Sequence, residues 1–114
     1  MPEFNLLESV GEITRDVSAR MANKEENRKE AMKFGMAYFD GPREQGYGGY
    51  GYDGRWMTVA EKAVSRYDLR AGDRVLDIGC AKGFFVRDLL HGRVQIDGYG
   101  IDVSEYAIKN CHPD

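Results

Sequence analysis

The chain has 114 residues, of which 42% are hydrophobic and 31% charged, and its net charge is −3. That length gives one domain or part of one, with a modest core. The charge leaves no surplus of Lys and Arg for phosphates, so nucleic acid is not an expected partner. No apolar run approaches the roughly 20 residues that span a bilayer, and the acidic opening lacks the basic and apolar regions of a signal peptide, so the default expectation is cytoplasmic with no membrane partner.

Leu6, Val10, Ile13, Val17 and Met21 recur at helical spacing and predict a first helix. "NKEENRKEAMKFG" predicts a second, with Asn23 and Glu26 as a capping box and Gly35 as its end. Residues 40–56, "DGPREQGYGGYGYDGRW", interleave glycine with tyrosine and read as a loop. Thr58 and Glu61 predict a capping box for a third helix running to about Tyr67.

Beyond the turn at "LRAGD", "RVLDIGC" is a short run rich in branched residues, which predicts a buried strand. "GFFVRDLLHG" predicts a helix of two to three turns, "GYGIDV" a second strand, and Ser104 the cap of a last helix over "SEYAIKN". The expected fold class is therefore α/β, the first part of a Rossmann-like parallel sheet with a right-handed crossover. Residues 1–56 form an N-terminal helical and Gly/Tyr-rich segment, and residues 57–114 the first βαβ half of the sheet domain.

The turn between strand and helix holds Asp77, Gly79, Ala81 and Gly83. Small residues let the backbone turn sharply and let a ligand come close, at the strand end where open α/β sheets bind. The dinucleotide pattern needs glycine at Ala81 and at Phe84, and a phosphate loop needs Gly-Lys-Ser/Thr; neither is present. The carboxylate of Asp77 repels pyrophosphate and suits a cation such as an amino acid's ammonium. Asp102 follows Gly83 by nineteen residues, at the end of the second strand, where a carboxylate can accept ribose hydroxyls.

"VLDIGCAKG" followed by "GIDVSEYAI" resembles the first two motifs of class I S-adenosylmethionine-dependent methyltransferases, over residues 75–108. The resemblance implies S-adenosyl-L-methionine as cofactor. Asp77 and the backbone of Gly79, Cys80, Ala81 and Gly83 would surround its methionyl portion, Asp102 would bind the ribose, and Val103 would lie against the adenine. Alanine at 81 departs from that family's usual glycine. The upstream "YFDG…GYGGYGYDGRW" resembles the opening segment of a subgroup associated with bacterial sugar or surface-polysaccharide modification, which implies a small-molecule, sugar-type acceptor.

For Tyr47, Tyr50 and Tyr52 two readings stand, a lid over cofactor or substrate and a Gly-rich loop that packs only locally. Arg55 reads equally as a partner for a cofactor or substrate carboxylate and as half of a surface ion pair. Trp56, Phe84, Phe85 and Cys80 read as core, Lys82 as a solvated turn residue, and His91 as a favourable charge at a helix C-terminus. No disulfide framework and no metal site are expected from Cys80, Cys111 and the neighbouring His112.

The complete fold of that family has seven strands, and two are readable here; no Asn/Asp-Pro-Pro-aromatic catalytic motif occurs. The expectation is an N-terminal fragment of a methyltransferase, itself inactive and with no identifiable catalytic residue. The alternative is a non-catalytic Rossmann-like module that needs a partner chain, since two parallel strands leave an apolar sheet edge open to homo-oligomeric pairing.

Overall fold

In the computed structural model, residues 4–11, 21 and 23–114 are described. The architecture is α/β, with helices packed on a two-stranded parallel sheet in the manner of a partial Rossmann-like fold. Of the first helix expected from the Leu6–Met21 spacing, residues 12–20 lie outside the described residues, Ile13 and Val17 among them; the described part holds a 3-10 turn, Glu8–Val10, and Met21 is helical and exposed. Helix α1, Lys24–Ala31, ends four residues before Gly35 and lacks the expected capping box. Asn23 adopts a left-handed conformation (φ 57°), whereas a capping side chain needs an extended backbone to reach the first-turn amides. Gly35 instead precedes a second short helix, α2, Met36–Asp40.

The Gly/Tyr loop contains a 3-10 turn at Arg43–Gln45. Helix α3, Arg55–Arg66, begins three residues before Thr58, so Thr58 and Glu61 lie inside it and form no capping box. Asp53 explains the earlier start. Its carboxylate accepts the Arg55 amide at 3.1 Å and pairs with the Arg55 guanidinium at 2.6 Å, a charged acceptor supplied one turn ahead of Thr58. The C-terminal boundary falls at Tyr67, as expected.

Strand β1, Arg74–Ile78, pairs in parallel with β2, Asp97–Ile101, with Val75 opposite Gly98 and Asp77 opposite Gly100. Helix α4, Phe84–Leu90, makes the crossover, and helix α5, Glu105–Lys109, follows β2. Ser104 caps α5 as expected, its Oγ accepting the Ala107 amide at 3.0 Å. The same hydroxyl donates to the carbonyl of Phe34, fastening the N-terminal segment to the sheet.

One core joins Ala60 of α3, Leu89 of α4 and Ile96, flanked by Val64, Val75 and Phe85. A second joins Phe39, Ala81 and Ala107 beside the glycine turn, with Tyr38, Tyr50 and Tyr106 around it. The expectation of a fully buried first strand is corrected. Only the Val75/Asp77 face of β1 is covered, because the core of Ala60 from α3 and Leu89 from α4 packs against Val75 on that side. The opposite face presents Leu76 and Ile78, paired in register with Tyr99 and Ile101; all four are exposed, Ile78 to 76%.

Candidate functional site

Residues Gly79 to Gly83 connect β1 to α4 through three left-handed positions: Gly79 (φ 85°), Ala81 (φ 52°) and Gly83 (φ 75°). For alanine that conformation costs about 1–2 kcal/mol, so something must hold it. Asp102 does: one carboxylate oxygen accepts the Ala81 amide at 2.8 Å, while the other accepts the Ser104 amide at 2.8 Å. The carbonyl of Ile101 takes the amides of Gly79 and Cys80, at 2.8 and 3.0 Å. The turn thus hangs from the end of β2. It approaches so closely that a Cβ on Gly100 would meet Cys80 Cβ and Sγ at 2.7 Å.

Against this turn lies a cavity of about 470 Å³, within the size range of small-molecule sites. Asp77, Gly79 and Cys80 line one side, Trp56, Val59 and Phe85 the helical side, and Tyr50 with Phe4 to Leu7 the outer wall. Asp77 is half-buried, and among the described residues no donor is bonded to its carboxylate. Burial, and next the charge of Asp102, push its carboxyl above the ordinary value. A cation placed beside the carboxyl would favour its ionised form against both causes.

The Gly/Tyr segment crosses the outside of the turn, and the structure separates its three tyrosines. Tyr50 lines the cavity and stacks on Phe84 at 4.9 Å; burial, then Tyr47 and Asp77, push its hydroxyl up to about 12. Tyr47 packs on Tyr50 at 4.6 Å, and its hydroxyl is raised by burial, then by Tyr38 and Asp102. Tyr52 points elsewhere. Its hydroxyl donates to Asp88 at 2.6 Å and its ring lies 5.0 Å under the Arg87 guanidinium, so it anchors the segment to α4. Arg55 is engaged with Asp53 at the start of α3 and pairs with no carboxylate of the cavity. Val103 is 86% exposed just past β2.

The structure corrects the reading of Lys82 and adds a cavity contact to those of Trp56 and Phe85. Lys82 is buried, not solvated, and its Nζ contacts Asp40 at 2.6 Å. Trp56 is half-buried at the cavity wall, edge-on to Phe85 at 6.3 Å, and Phe85 likewise faces the cavity as well as the core. Phe84 and Cys80 are core, and burial raises the Cys80 thiol. His112 stacks edge-on with Tyr52 at 5.0 Å. Among the described residues no three His, Cys, Asp or Glu side chains gather closely enough to hold a metal, and no helix is long and apolar enough to cross a membrane. Asp40 and Asp88 escaped the sequence reading altogether. No spacing rule joins Asp40 to Lys82 across 42 residues, and Asp88 looks like any acid on an amphipathic helix.

A parallel βαβ unit with a small-residue turn and an acid at each strand end is the arrangement of a partial Rossmann-like α/β fold. In line with that class, residues 60–113, just under half of the chain, match the family model described as methionine biosynthesis protein MetW. That family is methyltransferase-like, and the match spans the two strands, the turn and both acids. No curated protein and no solved structure matches the chain.

Proposed function

We propose that the chain binds S-adenosyl-L-methionine at the turn after β1, as the cofactor half of a methyl-transfer site. The observation that carries this reading is Asp77, a half-buried carboxylate with no partner among the described residues, facing a cavity walled by Tyr50, Trp56 and Phe85. Asp77 would take the ammonium of the methionyl end and the small residues Gly79 to Gly83 would admit its chain. The aromatic wall would face the cationic sulfonium. Asp102 keeps unused lone pairs on oxygens already fixed by two amides, so it can accept ribose hydroxyls without reorienting. Val103 would cover the adenine.

When bound, the cofactor supplies an activated methyl group. What the chain supplies is position and exclusion of water, because such a transfer depends on alignment more than on a covalent helper. A small-molecule acceptor of sugar type rests on the resemblance of the Gly/Tyr segment alone. A second reading, a binding module completed by another chain or copy, is favoured by the uncovered Leu76/Ile78/Tyr99/Ile101 face.

Titration calorimetry on the full chain tests the first reading. S-adenosylmethionine should bind, and Asp77→Asn should weaken it by about tenfold or more, from loss of a charged hydrogen bond. No heat and no competition by S-adenosylhomocysteine at millimolar ligand would refute it.

A further inference from the structure

Asp40 stands at the C-terminal end of α2, outside the cavity, yet three separate parts of the chain converge on its carboxylate. Oδ1 accepts the backbone amide of Tyr50, at 3.0 Å. Oδ2 accepts from Lys82 Nζ at 2.6 Å and from the Tyr106 hydroxyl at 2.7 Å. These donors belong to the Gly/Tyr segment, the glycine turn and α5 respectively. The ammonium of Lys82 also lies 5.9 Å from the centre of the Tyr106 ring, and its side chain is 10% exposed. Lys82 immediately follows Ala81, the residue whose left-handed backbone the turn must sustain. On its other side the turn is held by Asp102, and the carbonyl of Lys82 itself accepts the amide of His112 at 2.9 Å.

We propose that Asp40 is a positioning residue for the cofactor site, fixing the glycine turn through Lys82 and holding Tyr50 in the wall of the cavity that Asp77 also lines, through the Tyr50 amide. The inference rests on the reading of this turn as the S-adenosylmethionine site. It adds a function for a residue that touches neither cofactor nor acceptor. The turn is clamped between two carboxylates, Asp102 from the sheet and Asp40 from the N-terminal segment. Lys82 is buried while Asp40 keeps contact with solvent, and desolvation of the ammonium offsets attraction to the carboxylate, so the worth of the pair lies in geometry.

That distinction is measurable on the full chain. Four forms are compared: wild type, Asp40→Asn, Lys82→Met, and the double variant Asp40→Asn/Lys82→Met. Each is followed by thermal unfolding, by calorimetry with S-adenosylmethionine, and by ligand-free hydrogen exchange over residues 46–52 and 80–83. Asp40→Asn should lose the most stability, since it leaves the buried Lys82 ammonium without its carboxylate, and each single variant should bind about tenfold more weakly or worse. The double variant should regain most of the stability but stay about tenfold weaker, with faster exchange in both segments. If affinity returns together with stability, or if exchange is unchanged, the pair only neutralises a buried charge and the proposal falls.

Tyr106→Phe removes one exposed donor and decides the matter if the pair variants do not fold. Faster exchange at residues 80–83 supports the proposal, and unchanged exchange overturns it. Should wild type take up no S-adenosylmethionine, the reading of the site fails, while the ligand-free exchange still decides whether Asp40 orders the turn.

Discussion

Asp102 holds a left-handed alanine in place, and the energetics of that arrangement can be worked through. In Asp102→Asn one carboxylate oxygen becomes an amide nitrogen. Both oxygens now accept backbone amides, at 2.8 Å each, so one of the two N–H groups must face a donor. The loss is one charge-assisted bond and the weakening of another, about 1.5–3 kcal/mol for a group that remains partly exposed. If the bond to Ala81 is the one broken, the left-handed cost of about 1–2 kcal/mol at that residue loses its direct counterweight, and the turn loosens between its remaining ties.

Thermal unfolding of Asp102→Asn should therefore drop by roughly 4–8 °C for each kcal/mol, as for a domain near this size. Exchange at residues 79–83 should rise with it. Ala81→Gly in wild type should gain about 1 kcal/mol, because Asp102 holds Ala81 in a backbone that glycine adopts freely. The same Ala81→Gly change in the Asp102→Asn background should gain less, since the turn there has already relaxed. Equal gains in the two backgrounds, or an Asp102→Asn protein with wild-type stability and exchange, would refute the coupling between the acid and the turn.

Gly100→Ala should cost about 1–3 kcal/mol and displace the turn, since its Cβ would come within 2.7 Å of Cys80; urea unfolding reads the loss, and Cys80→Gly should return part of it. Asp77→Asn should raise thermal stability at neutral pH while weakening cofactor binding by about tenfold or more. The folded carboxyl titrates above its ordinary 3.8, so its ionised form disfavours folding. That advantage should fade as pH falls below the folded value towards 3.8, and a pH series of melting curves shows it. Asp40 behaves oppositely. Burial alone would raise its carboxyl, but bonds from Lys82, Tyr106 and the Tyr50 amide outweigh that and hold it at about 2. Its contribution is present above 3.8 and is lost as pH falls from there through about 2, a component of acid unfolding that Asp40→Asn should lack. Tyr52→Phe takes one donor from the buried Asp88 and should cost about 1–3 kcal/mol in chemical unfolding.

The sheet half was legible because each local signal agreed with its neighbours. Branched residues at Val75 to Ile78, small residues at the turn, and Ser104 before an amphipathic run each specify a conformation by themselves. The N-terminal half was less so. Asn23 and Thr58 carried good capping patterns, yet backbone conformation at Asn23 and the charged competitor Asp53 decided those helix starts. Capping is a contest among nearby acceptors, and a motif names only one contestant. Within the candidate site, Asp77 and Asp102 could be placed from strand ends. The sorting of Tyr47, Tyr50 and Tyr52 could not, because Tyr52 follows the buried Asp88, 36 residues away. Lys82 misled for the same reason: a lysine in a turn is solvated unless tertiary structure brings an acid to it.

The uncovered face of the sheet has a consequence for handling the protein. Leu76, Ile78, Tyr99 and Ile101 form a ladder of greasy rungs in water. Apolar association near room temperature is driven by the entropy of released solvent and weakens on cooling. Solutions of this chain should accordingly stay clearer in the cold room than on the bench, and light scattering should rise reversibly with warming well below the melting transition. Sulfate should shift that onset to lower temperature, and a single charge in the ladder, Ile78→Lys, should abolish it while leaving the folded core untouched.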